Sequence, residues 1–469
     1  MAPKSKKTPT TTSTPTELIE NTAKAAANDE VDSLAPDTAT DADASTTTPP
    51  AFKKNPVPRR RVSENSFLMG VRQRLKNILE KPYFILFVCV AAYLIAAIVQ
   101  QLQFGFSTTA EEDRVLAILQ TFGDGEFPPT LELIRSLQDV SGLFYYAVLG
   151  KLGALVKWQL PVLKYTHVFI TGVFLYLVTA VGFEVISKNR INPLWISLGV
   201  LFLALNPALV MHGGAVDCHV FFAALVLASY LFYRKQWFFL MACALSAAVL
   251  TDWRAPILAV AISVERVLTE ESKVLRIERI LLFVMPYAFA AALLWQWRGL
   301  IPPGGQEYLT MTYSSDRPLF QLNQLWYVLA AIPVYTVVFS WVMALRGRVR
   351  STWTSAIVAI VAIPIYFFVT SDTSVDAVSE TQFMQVFASL VAGEYSAFVL
   401  FVPCIFGLFL VLQSVWLPIL EETYAIRIFV LGNILTAPFW LHVNEVLILP
   451  LLAFTILFAL SEALVGDSN

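Results

Sequence analysis

The chain has 469 residues, 57% of them hydrophobic, with a mean hydropathy of +0.63 and a formal net charge of −2. That apolar content excludes an ordinary soluble domain. Repeated runs near the roughly 20 residues that cross a bilayer predict an all-α polytopic membrane protein. No basic stripe with interleaved aromatics is present, so nucleic acid is not an expected partner.

Residues 1–65 are rich in Thr, Ala, Ser, Asp and Pro and almost free of aromatics, which predicts a disordered cytosolic tail. It contains no apolar core of a signal peptide, and Glu17, Glu20, Asp29 and Glu30 argue against a mitochondrial presequence. A basic juxtamembrane segment, 66–82, follows; with Arg59, Arg60 and Arg61 it places Arg72, Arg74, Lys76 and Lys81 before the first apolar run. The positive-inside rule then puts the N-terminus in the cytosol and sends the span 83–101 to the lumenal side.

The first lumenal loop, 102–164, opens on the acidic cluster Glu111-Glu112-Asp113. Its apolar stretch 142–163 contains Lys151 and Lys157, so it is expected to lie on the lumenal surface as an amphipathic helix. Spans follow at about 165–186, 194–211, 216–232, 237–251, 254–268, 280–297, 325–345, 353–370, 395–417, 424–441 and 446–463. This arrangement places the basic turns 188–190, 234–235, 266–279 and 346–350 in the cytosol. About 12 spans result within a transmembrane domain covering 83–463, with both termini cytosolic.

On the lumenal side the same threading gathers Glu111, Glu112, Arg114, Asp139, Asp217, Asp252, Arg254, Arg298, Asp316, Arg317, Glu394, His442 and Glu445. Charges this close to hydrocarbon are costly unless paired or functional. Cys89, Cys218, Cys243 and Cys404 show neither CxxC spacing nor a Cys/His cluster, so no disulfide framework and no zinc site is expected. Phe183, Trp195, Trp237, Phe238, Trp295, Trp297, Trp326 and Trp440 sit near span ends and read as an interfacial belt.

The order of these weak motifs resembles the GT-C superfamily of membrane glycosyltransferases, which use sugars carried on polyprenyl phosphates. The likeness begins with the acidic pair Glu111-Glu112 and the segment Asp139-Val140-Ser141-Gly142-Leu143-Phe144-Tyr145-Tyr146. It continues through Ala204-Leu205-Asn206-Pro207-Ala208-Leu209, Gly213-Gly214 with Asp217, and Thr251-Asp252-Trp253-Arg254. Gly299-Leu300-Ile301-Pro302-Pro303-Gly304-Gly305, Asn323-Gln324-Leu325 and Ile448-Leu449-Pro450 complete it. Within the superfamily the chain looks most like the branch holding the dolichyl-phosphate-glucose alpha-1,2-glucosyltransferase of the endoplasmic reticulum.

The resemblance implies transfer of a hexose, glucose in that branch, from a dolichyl-phosphate donor to a lumenal lipid-linked or protein glycan, with inversion and without metal or other cofactor. A carboxylate must take the acceptor hydroxyl proton, and cations must hold the leaving phosphate. Glu111 is the candidate base, with Glu112 as its orienting partner or alternate. Arg254, Arg298 and His442 are candidates for the donor phosphate, and Asp139, Asp217 and Asp252 for sugar and acceptor hydroxyls. Plainer roles stand beside these: helix capping for the Glu pair, Asp139 and Asp217, and an interfacial Arg254–Asp252 pair.

The chain departs from the family pattern in three places. Glu111 stands for the leading Asp, Asp139-Val140-Ser141 for a Thr-Pro-rich turn, and Glu445 for a basic residue of the last lumenal turn. The alternative these favour is an inactive GT-C-fold scaffold working with membrane-complex subunits. A secondary transporter is a third reading, weakened by charges at lumenal ends rather than at the midplane.

Overall fold

The computed structural model describes residues 84, 88, 91, 93–95, 97, 108–138, 141–186, 193–269, 277–299, 301–312, 322–337, 339–340, 353–362, 396–416, 423–439 and 449–465. All lie in one compact unit, Glu64–Asn469. The tail 1–65, the segment 66–82, Asp139, His442 and Glu445 fall outside the described residues; Glu111 is described as backbone only.

Every regular element among the described residues is helical, so the chain is all-α. The first loop holds α1 (Ala110–Asp124), α2 (Leu131–Arg135) and α3 (Leu143–Leu155). The bundle continues with α4 (Leu160–Ile186), α5 (Pro193–Ala204), α6 (Pro207–His212), α7 (His219–Arg234), α8 (Phe238–Thr251), α9 (Ala255–Thr269) and α10 (Ile277–Trp297). Then come α11 (Pro303–Thr312), α12 (Leu322–Tyr335), α13 (Trp353–Ala362), α14 (Ser396–Trp416), α15 (Tyr424–Thr436) and α16 (Leu449–Val465).

Leu160–Val185, 26 residues at mean hydropathy 2.0, is the one described helix long and apolar enough to cross a membrane. Shorter apolar helices of 10–17 residues accompany it. Several boundaries have simple local causes. Pro193, Pro207 and Pro303 each open a helix at the position where a missing N–H costs nothing. At the α7–α8 hairpin Gln236 takes a left-handed φ of 60° and Trp237 N–H closes on the Phe232 carbonyl at 2.9 Å.

α16 forms the centre of the bundle. Its stretch Leu449–Leu460 is apolar on every side but for Thr455, and Leu451 through Leu460 are all buried, as such a stretch requires. Phe454 touches Phe429 of α15 and Tyr230 of α7 at ring separations of 4.8 and 5.4 Å. Around it α4 packs on α7, α7 on α8, α8 on α10, α9 on α15 and α12 on α14.

Charges separate to two ends. At one, Lys235 meets Glu184 at 3.5 Å and Arg234 meets Glu265 at 3.4 Å, while Glu265 also accepts the Ala425 N–H at 2.6 Å. This end carries the basic turn read as cytosolic. The opposite end carries Glu112, Lys164, His212, Asp217, Asp252 and Arg254.

The stretch 142–163 corrects one expectation. α3 is not amphipathic: Leu143, Tyr145, Tyr146 and Leu149 are buried, Phe144 stacks on Phe221 of α7 at 6.1 Å, and the exposed positions Val148 and Leu155 are apolar too. Lys151, the charge that argued for a polar face, folds back to donate to the carbonyls of Gly123, at 2.8 Å, and Gly125, satisfying the end of α1. Gly123 and Gly150 let the two helices touch, since a Cβ on Gly150 would fall 2.8 Å from the Leu119 carbonyl. The chain then turns through left-handed Lys157 and Trp158, and α4 begins at Leu160, ahead of the expected loop end at 164.

Candidate functional site

The first loop reaches the bundle through Glu112. Thr109 caps α1: its hydroxyl accepts the Glu112 N–H at 3.2 Å, and Glu112 Oε2 accepts the Thr109 N–H at 3.0 Å. This reciprocal box satisfies two donors that the helix start leaves open, and it fixes the Glu112 rotamer. The other oxygen, Oε1, accepts the Val216 N–H at 3.1 Å and lies 3.4 Å from Lys164 Nζ. One carboxylate thus ties together the first loop, the start of α4 and the 213–218 turn. Beside it, His167 Nδ1 donates to the Leu163 carbonyl at 2.8 Å, so Nε2 accepts the Tyr145 hydroxyl proton at 2.7 Å. Burial lowers the His212 pKa to about 4, against the opposing pull of Glu112.

The second anchor is the turn between α8 and α9. Asp252 has extended backbone and ends α8; its Oδ1 accepts the Arg254 N–H at 2.9 Å, starting α9 in the manner of an N-cap. The same carboxylate takes Arg254 Nε on Oδ1 at 2.9 Å and Nη2 on Oδ2 at 2.6 Å, a bidentate ion pair that is buried at both ends. The guanidinium also lies 5.2 Å over the Phe222 ring.

Gly142 joins this turn to the first loop by donating its N–H to the Thr251 carbonyl at 2.6 Å. Its φ of 100° belongs to the region that favours glycine, and a Cβ there would strike the Tyr146 ring at 2.6 Å. Next to it Ser141 Oγ lies 3.7 Å from Cys218 Sγ. Asp217 Oδ1 accepts the His219 N–H at 2.7 Å, so it caps the start of α7.

Between these anchors and the end of α10 lies a recess with a cavity volume of about 130 Å³. Its polar wall is Ser141, Thr251, Asp252, Trp253 and Trp297; its apolar wall includes Leu250, Ala290, Leu293 and Leu294. Glu112 and Arg254 do not line it. Arg298, directly after Trp297, is exposed with a left-handed φ of 54°.

The structure therefore brings Asp252 and Arg254 into contact and sets Asp252 on the recess. Glu112 and Asp217 stand beside it on neighbouring turns, linked through Ser141 and Cys218. Asp139 and His442 lie outside the described residues. The sequence reading missed Ser141, Trp253, Lys164 and the recess role of Trp297. The belt reading fits Trp295, which is 85% exposed, but Trp297 is 7% exposed and faces inward. Among the described residues no group of His, Cys, Asp and Glu is placed to hold a metal ion.

No protein-family model, curated protein or solved structure matches the chain.

Proposed function

We propose that the chain is a polytopic, GT-C-like membrane glycosyltransferase of the endoplasmic reticulum, with about 12 spans and both termini cytosolic. It moves a hexose, glucose first, from a dolichyl-phosphate donor to a lumenal lipid-linked or protein glycan, with inversion and no cofactor. The observation that carries this reading is the recess at the end of the bundle opposite the basic turn, built jointly by the first loop, the 251–256 turn and α10. Exposed large apolar side chains on α4 and α13, such as Tyr165, Phe169, Ile357 and Val361, suit a lipid surround.

In this reading Glu112 is the orienting member of the acidic pair, because both its oxygens are engaged. Glu111, one position earlier on α1, is the base that takes the acceptor proton. Arg298 and His442 hold the leaving phosphate, and Arg254 lends its charge through the Asp252 pair. Asp139 and Asp217 serve acceptor hydroxyls from the neighbouring turns.

One observation favours a second reading, an inactive scaffold that binds membrane-complex subunits. Glu112 and Arg254 are both engaged internally, and neither lines the recess. Purified protein incubated with radiolabelled dolichyl-phosphate glucose and lipid-linked oligosaccharide separates the two. Label in the oligosaccharide supports the transferase. Its absence with both the glucose and the mannose donor leaves the scaffold.

A further inference from the structure

We infer that the junction between the first loop and the bundle is an acid-opened latch: protonating His167 and His212 releases α1 and α3 from α4 and the 213–218 turn while the remaining helices stay packed. The latch is independent of what the recess binds.

The ties at this junction are of two kinds. α4 and the 213–218 turn hold each other through Thr171, whose hydroxyl donates to the Gly213 carbonyl at 2.7 Å, a bond without a titratable group. The first loop is held by groups whose protonation state matters. Glu112 of α1 accepts the Val216 N–H at 3.1 Å and meets Lys164 of α4 at 3.4 Å. Tyr145 of α3 donates to His167 Nε2 of α4 at 2.7 Å.

Hydrogen-bond valence makes His167 the sensitive member. A neutral imidazole has one N–H and one lone pair, and both are used: Nδ1–H on the Leu163 carbonyl at 2.8 Å, Nε2 on the Tyr145 hydroxyl. A second ring proton would sit on Nε2 and point at a hydroxyl that is already the donor. It would also place a cation where His167 is 3% and Tyr145 0% exposed, out of reach of water. The nearby charges offer little offset, because Glu112 from α1 and Lys164 on the same helix are already paired with each other. Tyr145 is the titratable group facing the ring from α3, and α7 contributes the uncharged Phe221, 5.8 Å from the Tyr145 ring.

A second imidazole meets the same carboxylate. His212 ends α6, directly before the Gly213 carbonyl that Thr171 holds. Burial lowers its pKa to about 4, although Glu112 pulls the other way. Tyr93 lies against Gly213, and Asp217 and His219 close the same turn, the Asp217 carboxylate accepting the His219 N–H at 2.7 Å.

The direction of the switch follows from where the proton goes. An opened loop lets both rings reach water and their ordinary value of about 6.5, whereas the closed loop keeps them neutral. At pH 5.5 each ring therefore favours the open form by about tenfold, and at pH 7.5 by almost nothing. Ser141, at the base of α3, lines the recess, so the same opening withdraws part of that wall.

Hydrogen–deuterium exchange of the full chain in lipid nanodiscs at pH 7.5 and 5.5, corrected for the intrinsic exchange rates, tests the latch. Protection of α1 and α3 should fall at least tenfold at pH 5.5, while α8 and α9 keep theirs. Unchanged protection of α1 and α3 in wild type overturns the inference. An equal fall in α8 and α9 overturns it as well, since the whole bundle would then be unfolding. His167→Gln, neutral at both pH values, should cut the fall in α1 and α3 severalfold, and a fall as large as in wild type would overturn the role of His167. The wild-type comparison decides the matter even where this variant does not fold.

Discussion

Lys164 Nζ lies 3.4 Å from Glu112 Oε1, and each side chain is only 8% exposed. The pair joins residues on separate helices and closes the first loop onto the bundle. Taking two ions out of water is costly, and removing one partner strands the other. Lys164→Met should therefore destabilise the protein by about 3–5 kcal/mol, read as a lowered unfolding midpoint in detergent. Glu112→Gln combined with Lys164→Met should recover part of that loss. Equal midpoints for wild type and Lys164→Met would show that the pair carries no stability.

Gly142→Ala attacks the second attachment of the loop. The new methyl meets the Tyr146 ring and a left-handed φ of 100° that alanine disfavours. The expected result is loss of the Gly142–Thr251 hydrogen bond and faster proteolysis next to Gly142, with α7 to α9 kept helical. An unchanged cleavage rate would mean that the loop is held elsewhere.

Arg254→Lys keeps the charge and loses the fork. A lysine ammonium cannot make the parallel Nε and Nη2 bonds to Asp252, and it loses the flat contact over Phe222. A fall of about 1–3 kcal/mol in stability is expected, checked by thermal unfolding. Hexose transfer should fall with it, since Asp252 then loses its fixed orientation on the recess.

His212 gives the recess end of the bundle a pH dependence. Its pKa is lowered to about 4 by burial, below its ordinary 6.5. Between those values the unfolded chain binds a proton that the folded chain refuses, so stability drops as pH falls from about 6.5 towards 4 and is flat above. His212→Gln should make that slope shallower, leaving the share of the buried, doubly hydrogen-bonded His167. Unfolding midpoints measured from pH 4 to 8 in wild type and variant check this, and parallel profiles would rule His212 out.

Much of the bundle is legible in the sequence because charged turns interrupt apolar runs. Arg234-Lys235 and Thr251-Asp252-Trp253-Arg254 delimit α7, α8 and α9 within about three residues of the expected 216–232, 237–251 and 254–268. Lysines inside apolar runs mislead. Lys151 looks like a break in a span and Lys164 like the end of a loop, yet one caps α1 and the other meets a carboxylate 52 positions away in sequence (164 − 112). Local reading has no access to such partners. The role of Glu112 did leave a trace: Thr109-Ala110-Glu111-Glu112 has the Thr-x-x-Glu spacing of a capping box. Trp295 and Trp297 look alike in sequence. Two residues turn a helix through about 200°, and only the packing of α10 on α8 decides which indole faces the recess.

The most direct test compares Glu111→Gln with wild type in transfer of labelled hexose from dolichyl phosphate to lipid-linked oligosaccharide, with Glu112→Gln alongside. The account predicts transfer by wild type, loss of at least a hundredfold in Glu111→Gln at unchanged unfolding midpoint, as expected for a general base, and loss in Glu112→Gln accompanied by a lowered midpoint. Transfer by Glu111→Gln at the wild-type rate, or none by wild type with either glucose or mannose donor, would contradict it.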